Sequence, residues 1–232
     1  MNFWILVLCV ALVLLCYLFV TSYCKALIRK DAENAAFQKT FASLCFFLIG
    51  LIAVLRNGTS SAVKLIFLGL IFGMIGDILL VFRYRYEKGS RRYFQWFVTG
   101  TVAFFIGHLF YIWAAIRYMD ISWTATIIYT VIGFALTWTY TKSRKVDFGK
   151  RVAGGVIYLI FVVFMGACMF GAFVSSPHLP QILMAVGGFC FALSDNMLVV
   201  HNFGPEHSVR RSVILHFLYW TAQLLFAISI LI

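Results

Sequence analysis

Acidic residues are scarce in this 232-residue chain: eight Asp and Glu stand against nineteen Lys and Arg, for a formal net charge of +11. Charged residues make up only 12% of it, roughly half the share of an ordinary soluble domain. A water-exposed globular surface is therefore excluded as the main architecture. Proline-rich linkers and low-complexity tracts are also missing, so nothing divides the chain, and residues 1–232 are expected to form a single transmembrane domain. The six cysteines (Cys9, Cys16, Cys24, Cys45, Cys168, Cys190) lie in or beside apolar runs without C-x-x-C spacing. That argues against a disulfide framework or a zinc site and leaves them as small buried hydrophobes. Gly-x-Ser-x-Gly, His-Glu-x-x-His and a glycine-rich phosphate loop are all missing, which removes the familiar serine-hydrolase, zinc-protease and nucleotide-binding signatures. No Lys or Arg precedes the first apolar run, so Phe3–Val20 lacks the basic start of a secretory signal and reads as a retained helix.

Apolar residues are present in abundance, at 63% of the chain. Apolar runs long enough to cross about 30 Å of hydrocarbon recur along it. The expected fold is all-α: a polytopic membrane bundle of eight helices, at about 3–20, 40–55, 65–82, 96–116, 121–140, 152–174, 179–200 and 212–232. The charge excess is not spread evenly. Connections one, three, five and seven (21–39, 83–95, 141–151, 201–211) hold sixteen of the nineteen Lys and Arg, leaving only Arg56, Lys64 and Arg117 elsewhere. This split is the positive-inside pattern, so the odd connections are expected on the cytoplasmic side and both termini outside. The same distribution makes membrane lipid, not nucleic acid, the partner of the basic surface.

Six acids (Asp31, Glu33, Glu87, Asp120, Asp147, Glu206) fall in polar connections, whereas Asp77 and Asp195 sit inside apolar runs. Inserting an Asp at mid-bilayer costs roughly 2.5–3.5 kcal/mol, so such a residue is a functional candidate by default. In the third run Gly69, Gly73 and Asp77 share a helix face, and Gly188 and Ala192 share one with Asp195 in the seventh. Small residues at such spacing mark helix–helix seams, so both acids should point into the bundle. Each is followed by five residues before Arg83 or His201, which puts both roughly 9 Å inside the basic end at 1.5 Å per residue.

Two His-x-x-Tyr pairs accompany them, His108/Tyr111 in run four and His216/Tyr219 in run eight. Aligning runs three and four with seven and eight matches Gly69 to Gly187, Asp77 to Asp195, Leu80 to Leu198, His108 to His216 and Tyr111 to Tyr219. A weak parallel duplication of four plus four helices follows, with the site between the halves. Tyr158 and Gln223 are further polar groups inside apolar runs, each an interhelical hydrogen-bonder or a site residue. Ser194 beside Asp195 is a poor nucleophile, because neighbours on a helix diverge by about 100° and no base lies at i±3 or i±4. Lys39, at the mouth of run two, is either a positive-inside anchor or a phosphate contact.

Two carboxyls in one desolvated site tend to hold one proton between them, giving an acid and an anion side by side. That suits protonation of a substrate with stabilisation of a developing cation, as in acetal or vinyl-ether cleavage. It also suits water activation in an intramembrane aspartyl protease, and proton carriage in a coupled lipid or solute transporter. A metal held by two Asp and a His would be expected to show more ligands, so neither metal nor cofactor is assigned.

The succession Gly76-Asp77-x-x-Leu80, Gly100…Phe105-x-Gly107-His108-x-x-Tyr111, Gly187…Phe191-x-x-Ser194-Asp195-x-x-Leu198 and Tyr219-x-x-Ala222-Gln223-Leu224-Leu225 resembles the YhhN-like lysoplasmalogenase family over about residues 38–230. The family usually opens its second span with Lys-Pro, where this chain has Lys39-Thr40. The Tyr-Asp and Gly-x-Gly-Asp pairing of intramembrane aspartyl proteases, with its Pro-Ala-Leu segment, is not found here. The resemblance implies an eight-helix membrane hydrolase that cleaves the vinyl-ether bond of a lysophospholipid, releasing a fatty aldehyde and a glycerophospho-base. It implies Asp77 and Asp195 as the catalytic pair. His108, Tyr111, Tyr158, Ser194, His216, Tyr219 and Gln223 would then support them, with the substrate phosphate near Lys39, Arg83 or Arg210.

Overall fold

The computed structural model describes residues 2–58, 60–87, 89–149, 152–205 and 208–232. Lys88, Lys150, Arg151 and Glu206, which enter the charge tally, lie outside the described residues. Among those described there are eight α-helices and no strand: α1 Phe3–Ile28, α2 Ala32–Asn57, α3 Ser61–Phe82, α4 Arg91–Tyr118, α5 Trp123–Ser143, α6 Val152–Ser175, α7 Leu179–Phe203 and α8 Val209–Ser229. A 3-10 turn, Arg83–Arg85, continues α3.

The helices outrun the apolar segments that announce them. Residues 21–39, expected as a polar connection, are nearly all helical, and only Arg29–Asp31 remain as a turn between α1 and α2. Local chemistry sets that turn. Lys30 takes a left-handed φ of 58°, and the Asp31 side chain accepts a hydrogen bond from the Asn34 N–H as the N-cap of α2. Ser90, Ser122 and Ser208 cap α4, α5 and α8 in the same way. One consequence is decisive for the site: Lys39 belongs to α2, two turns in, and not to its mouth.

Seven of the eight helices are long and apolar enough to cross a membrane. The exception is α5, the expected span 121–140, which is diluted by Thr124, Thr126, Thr130, Thr137, Thr139 and Thr141. Its exposed face is nonetheless apolar (Ile127, Val131, Leu136), while Thr126, Thr137 and Thr141 are buried. This inside-out polarity holds throughout. Leu6, Leu14 and Leu18 of α1 are exposed, and Asp77, His108 and Gln223 are buried. Between helices surrounded by lipid there is little hydrophobic driving force, so packing and interhelical hydrogen bonds carry the association.

The most extensive interfaces are α3 with α4 and α7 with α8; α2 and α3 also pack on α8, and α4 packs on α6. The four odd connections gather at one end. Phe203 packs edge-on against Phe97 and at a tilt against Phe148, and its carbonyl accepts from the Asp147 N–H. At the opposite end Asn57 Nδ2 donates to the Ile230 carbonyl. Most of the described basic residues therefore share one end of the bundle, with Arg56, Lys64 and Arg117 as the exceptions, and both intramembrane acids lie in the half nearer to it.

Candidate active site

Asp77 is 1% exposed and its carboxylate meets three donors. Lys39 Nζ from α2 lies 3.1 Å from Oδ1. Ser43 Oγ, one turn further along α2, donates to Oδ2 at 2.5 Å, and Tyr219 OH from α8 donates to the same oxygen at 2.7 Å. Each partner is itself held. Trp220 Nε1 donates to Ser43 Oγ at 3.3 Å, Gln223 Nε2 donates to Tyr219 OH at 3.2 Å, and Tyr111 OH donates to Gln223 Oε1 at 2.8 Å. The glycines of α3 make room for this chain: a Cβ on Gly69 would overlap the Tyr111 ring, and one on Gly73 would overlap the Gln223 amide. The expected seam of small residues is thus where two polar side chains enter.

Asp195, on α7, has a thinner set of partners. Tyr158 OH from α6 donates to Oδ2 at 2.6 Å. His108 Nε2 from α4 stands 4.0 Å from that oxygen, beyond hydrogen-bond range but at a spacing one water can bridge. His108 is 1% exposed, and neither ring nitrogen has a hydrogen-bond partner. Phe191 packs edge-on against the His108 ring at 4.8 Å and against the Tyr219 ring at 5.5 Å, so one phenyl group separates the two sets of partners. The residues expected to be repeat-related are used crosswise. Tyr219 of the second half holds Asp77 of the first, and His108 of the first half faces Asp195 of the second.

An apolar cavity of about 390 Å³ opens between α4, α6 and α7, lined by Phe97, Phe104, Phe105, Ile157, Leu198 and by Tyr158, the donor to Asp195. A second cavity, of about 410 Å³, is more polar and lies among α1, the 3-10 turn, α4, α7 and the start of α8. Both include Leu198 and Asn202. Asp195, Leu198 and Asn202 fall on one helical face, so the acid lies one turn deeper than the residues that border both cavities.

The two acids do not form one hydrogen-bonded pair: each has its own partners among the described residues. Of the supporting groups, Tyr219, Gln223 and Tyr111 assemble on Asp77, and Tyr158 and His108 on Asp195. Others go elsewhere. Ser194 Oγ donates to the Leu215 carbonyl at 2.8 Å, because its position on α7 turns it toward α8 and away from the neighbouring carboxyl. His216 hydrogen-bonds Tyr23 OH at 3.2 Å and contacts the Ser212 carbonyl at 2.6 Å, lining the polar cavity. Lys39 is buried and occupied by its ion pair with Asp77. Arg210 is exposed on the first turn of α8, outside the cavity lining. Arg83, by contrast, is buried and lines the polar cavity. Sequence reasoning missed Ser43 and Trp220; Ser43 stands four residues after Lys39, on the same face of α2, and that spacing was the available signal.

Fold and site together define a polytopic helical membrane protein built around two buried carboxyl groups. The chain belongs to the YhhN family, whose model matches residues 34–230 and so takes in every candidate residue above. No curated protein and no solved structure matches the chain.

Proposed function

We propose that this protein is a lysoplasmalogenase-type hydrolase that cleaves the vinyl-ether bond of a lysophospholipid in the membrane. Asp195 carries the reading: a buried carboxyl without a Lys or Arg partner among the described residues, bonded to Tyr158 beside an apolar cavity, with an unpartnered imidazole 4.0 Å away. Membership of the YhhN family and the resemblance of its motifs to lysoplasmalogenases support the same assignment. The apolar cavity suits the alkenyl chain.

Vinyl-ether hydrolysis begins with proton transfer to the β-carbon, which converts the double bond into an oxocarbenium ion. Asp195 supplies that proton from the oxygen that Tyr158 leaves free. Asp77 is the fixed anion of the site, held by Lys39, Ser43 and Tyr219, and its negative field favours the cation as it develops. Water bridging His108 Nε2 and Asp195 then adds to the cationic carbon. His108 takes one of its protons and passes it back to Asp195, restoring the acid. The hemiacetal so formed collapses to the aldehyde and the free glycerol hydroxyl, with no net gain or loss of protons. Positioned acid–base groups of this kind contribute about 10²–10⁴-fold each.

The test is mass spectrometry of purified protein incubated with a 1-alkenyl lysophosphatidylethanolamine. Stoichiometric release of a long-chain aldehyde and glycerophosphoethanolamine is the expected result. Intact lipid after prolonged incubation, or full activity in Asp195→Asn, would overturn the proposal.

A further inference from the structure

The polar cavity at the basic end is not used by the chemistry above, and its lining is unusual. Arg83 is 6% exposed, yet its Nε and Nη1 have no hydrogen-bond partner. Its contacts are mostly with ring faces: Tyr84, Tyr93 and Phe97 lie 5.1, 5.7 and 5.6 Å from the guanidinium carbon. Among the described residues, only Nη2 reaches an oxygen, the Tyr84 hydroxyl, at a long 3.5 Å. Rings hold a guanidinium in place but accept no N–H in its plane, so a planar pair of donors is left open. No carboxylate lines the cavity among the described residues.

A second feature favours an anion at the same place. Ser208, Val209, Ser212 and Val213, the cap and first turn of α8, form part of the cavity wall. A helix N-terminus presents backbone N–H groups and the positive end of the helix dipole. Arg83 and the start of α8 therefore bring a guanidinium with two open donors, Nε and Nη1, and a helix N-terminus to one cavity of about 410 Å³. Its border with the apolar cavity, at Leu198 and Asn202, lets one amphiphile occupy both.

We propose that Arg83, with the N-terminal turn of α8, binds the phosphate of the lysophospholipid headgroup while the hydrocarbon chain occupies the neighbouring apolar cavity. The fork of a guanidinium matches two phosphate oxygens, which a lysine ammonium does not reproduce. This rests on the proposed function only for what the lipid is, not for whether its bond is cleaved.

The experiment is calorimetric titration of the full chain in maltoside micelles, which contain no phosphate. The probes are 1-O-hexadecyl-lysophosphatidylethanolamine, which lacks the vinyl ether and is not cleaved, 1-O-hexadecylglycerol, which lacks the phosphate, and inorganic phosphate. The wild type should prefer the phospholipid to the neutral lipid by about tenfold or more. Arg83→Gln should abolish that preference and leave binding of the neutral lipid unchanged, and Arg83→Lys should keep part of it. Val209→Glu, a change at an exposed position on the cavity wall, should weaken the phospholipid alone by about threefold or more through charge repulsion. Because Val209 is outside the core, that variant reads the site even if Arg83→Gln fails to fold. An undiminished preference in Val209→Glu, or equal loss of both lipids in Arg83→Gln, would overturn the assignment. Inorganic phosphate binding as tightly as the phospholipid would overturn the headgroup as its occupant. Retained phospholipid preference without aldehyde release would overturn the hydrolase reading and support this one; aldehyde release with an unchanged KM in Arg83→Gln would do the reverse.

Discussion

Asp77 and Asp195 occupy matching places on two helices, yet their surroundings differ in kind. Asp77 has a cation, two hydroxyl donors and, behind them, an amide, an indole and another phenol, each held in turn. Asp195 has one phenol and a histidine just out of reach. A carboxylate held by a cation and two hydroxyl donors is favoured as the anion and has little tendency to take up a proton. One with a single partner, an unsatisfied imidazole and a cavity alongside keeps that tendency. In the proposed mechanism the sparsely held acid is the one that gives up a proton, and its well-held neighbour supplies the fixed charge against which it works.

The largest expected effect comes from removing that fixed charge. Asp77→Asn should abolish aldehyde release and also destabilise the fold by about 3–5 kcal/mol, because Lys39 is left buried without its counter-ion. Thermal unfolding in detergent checks the second part. Asp77→Asn combined with Lys39→Met should recover most of the lost stability and none of the activity. A double variant as unstable as the single one would break the comparison, since Asp77 would then not owe its place to the ion pair.

Asp195→Asn tests the other member. Activity should fall by about 10²–10⁴-fold, the range for a general acid, while the unfolding temperature stays close to that of the wild type. The single hydrogen bond from Tyr158 survives the change, because an amide oxygen still accepts it. Comparable destabilisation in Asp195→Asn and Asp77→Asn would erase the distinction between a well-held and a sparsely held carboxyl.

Smaller losses should follow from the groups around Asp195. His108→Gln is expected to lower kcat by about 10²-fold, the lower end of the range for an acid–base group, and Tyr158→Phe by less, because the phenol positions the acid and moves no proton in the reaction. His108 has no protein hydrogen bond to lose, so its replacement should cost little stability. Wild-type activity in His108→Gln would remove the water bridge from the mechanism.

Much of this arrangement is legible in the sequence, and the exceptions have physical reasons. Length and polarity of the apolar runs suffice for the helices, and the cost of burying a carboxylate singles out Asp77 and Asp195 without any partner in view. Glycine spacing on α3 correctly places Asp77 inward, since only a bare backbone at Gly69 and Gly73 admits the Tyr111 and Gln223 side chains. Hydropathy misplaces Lys39. A lysine beside an apolar run reads as the run's edge, and only the Asp31 cap reveals that the helix begins earlier and carries the lysine inside. The equivalence of His108 and His216 is likewise misleading, because a motif records which face a residue occupies but not which helix that face meets. One histidine meets Asp195, and the other meets Tyr23 of α1.

The smallest effect sharpens the comparison from outside the site. Ser194 is adjacent in sequence to Asp195, and adjacency alone would place it in the proposed chemistry. Its hydroxyl instead fastens α7 to the Leu215 carbonyl of α8, a bond of the kind worth about 0.6 kcal/mol between membrane helices. Ser194→Ala should therefore lower stability by about that amount and leave kcat within about twofold of the wild type. Alanine removes one oxygen and leaves an acceptor that the helix already satisfies, so the loss should not spread. A large fall in kcat at unchanged stability would mean that the open side of Asp195 extends to its sequence neighbour, and that Tyr158 and His108 do not define it alone.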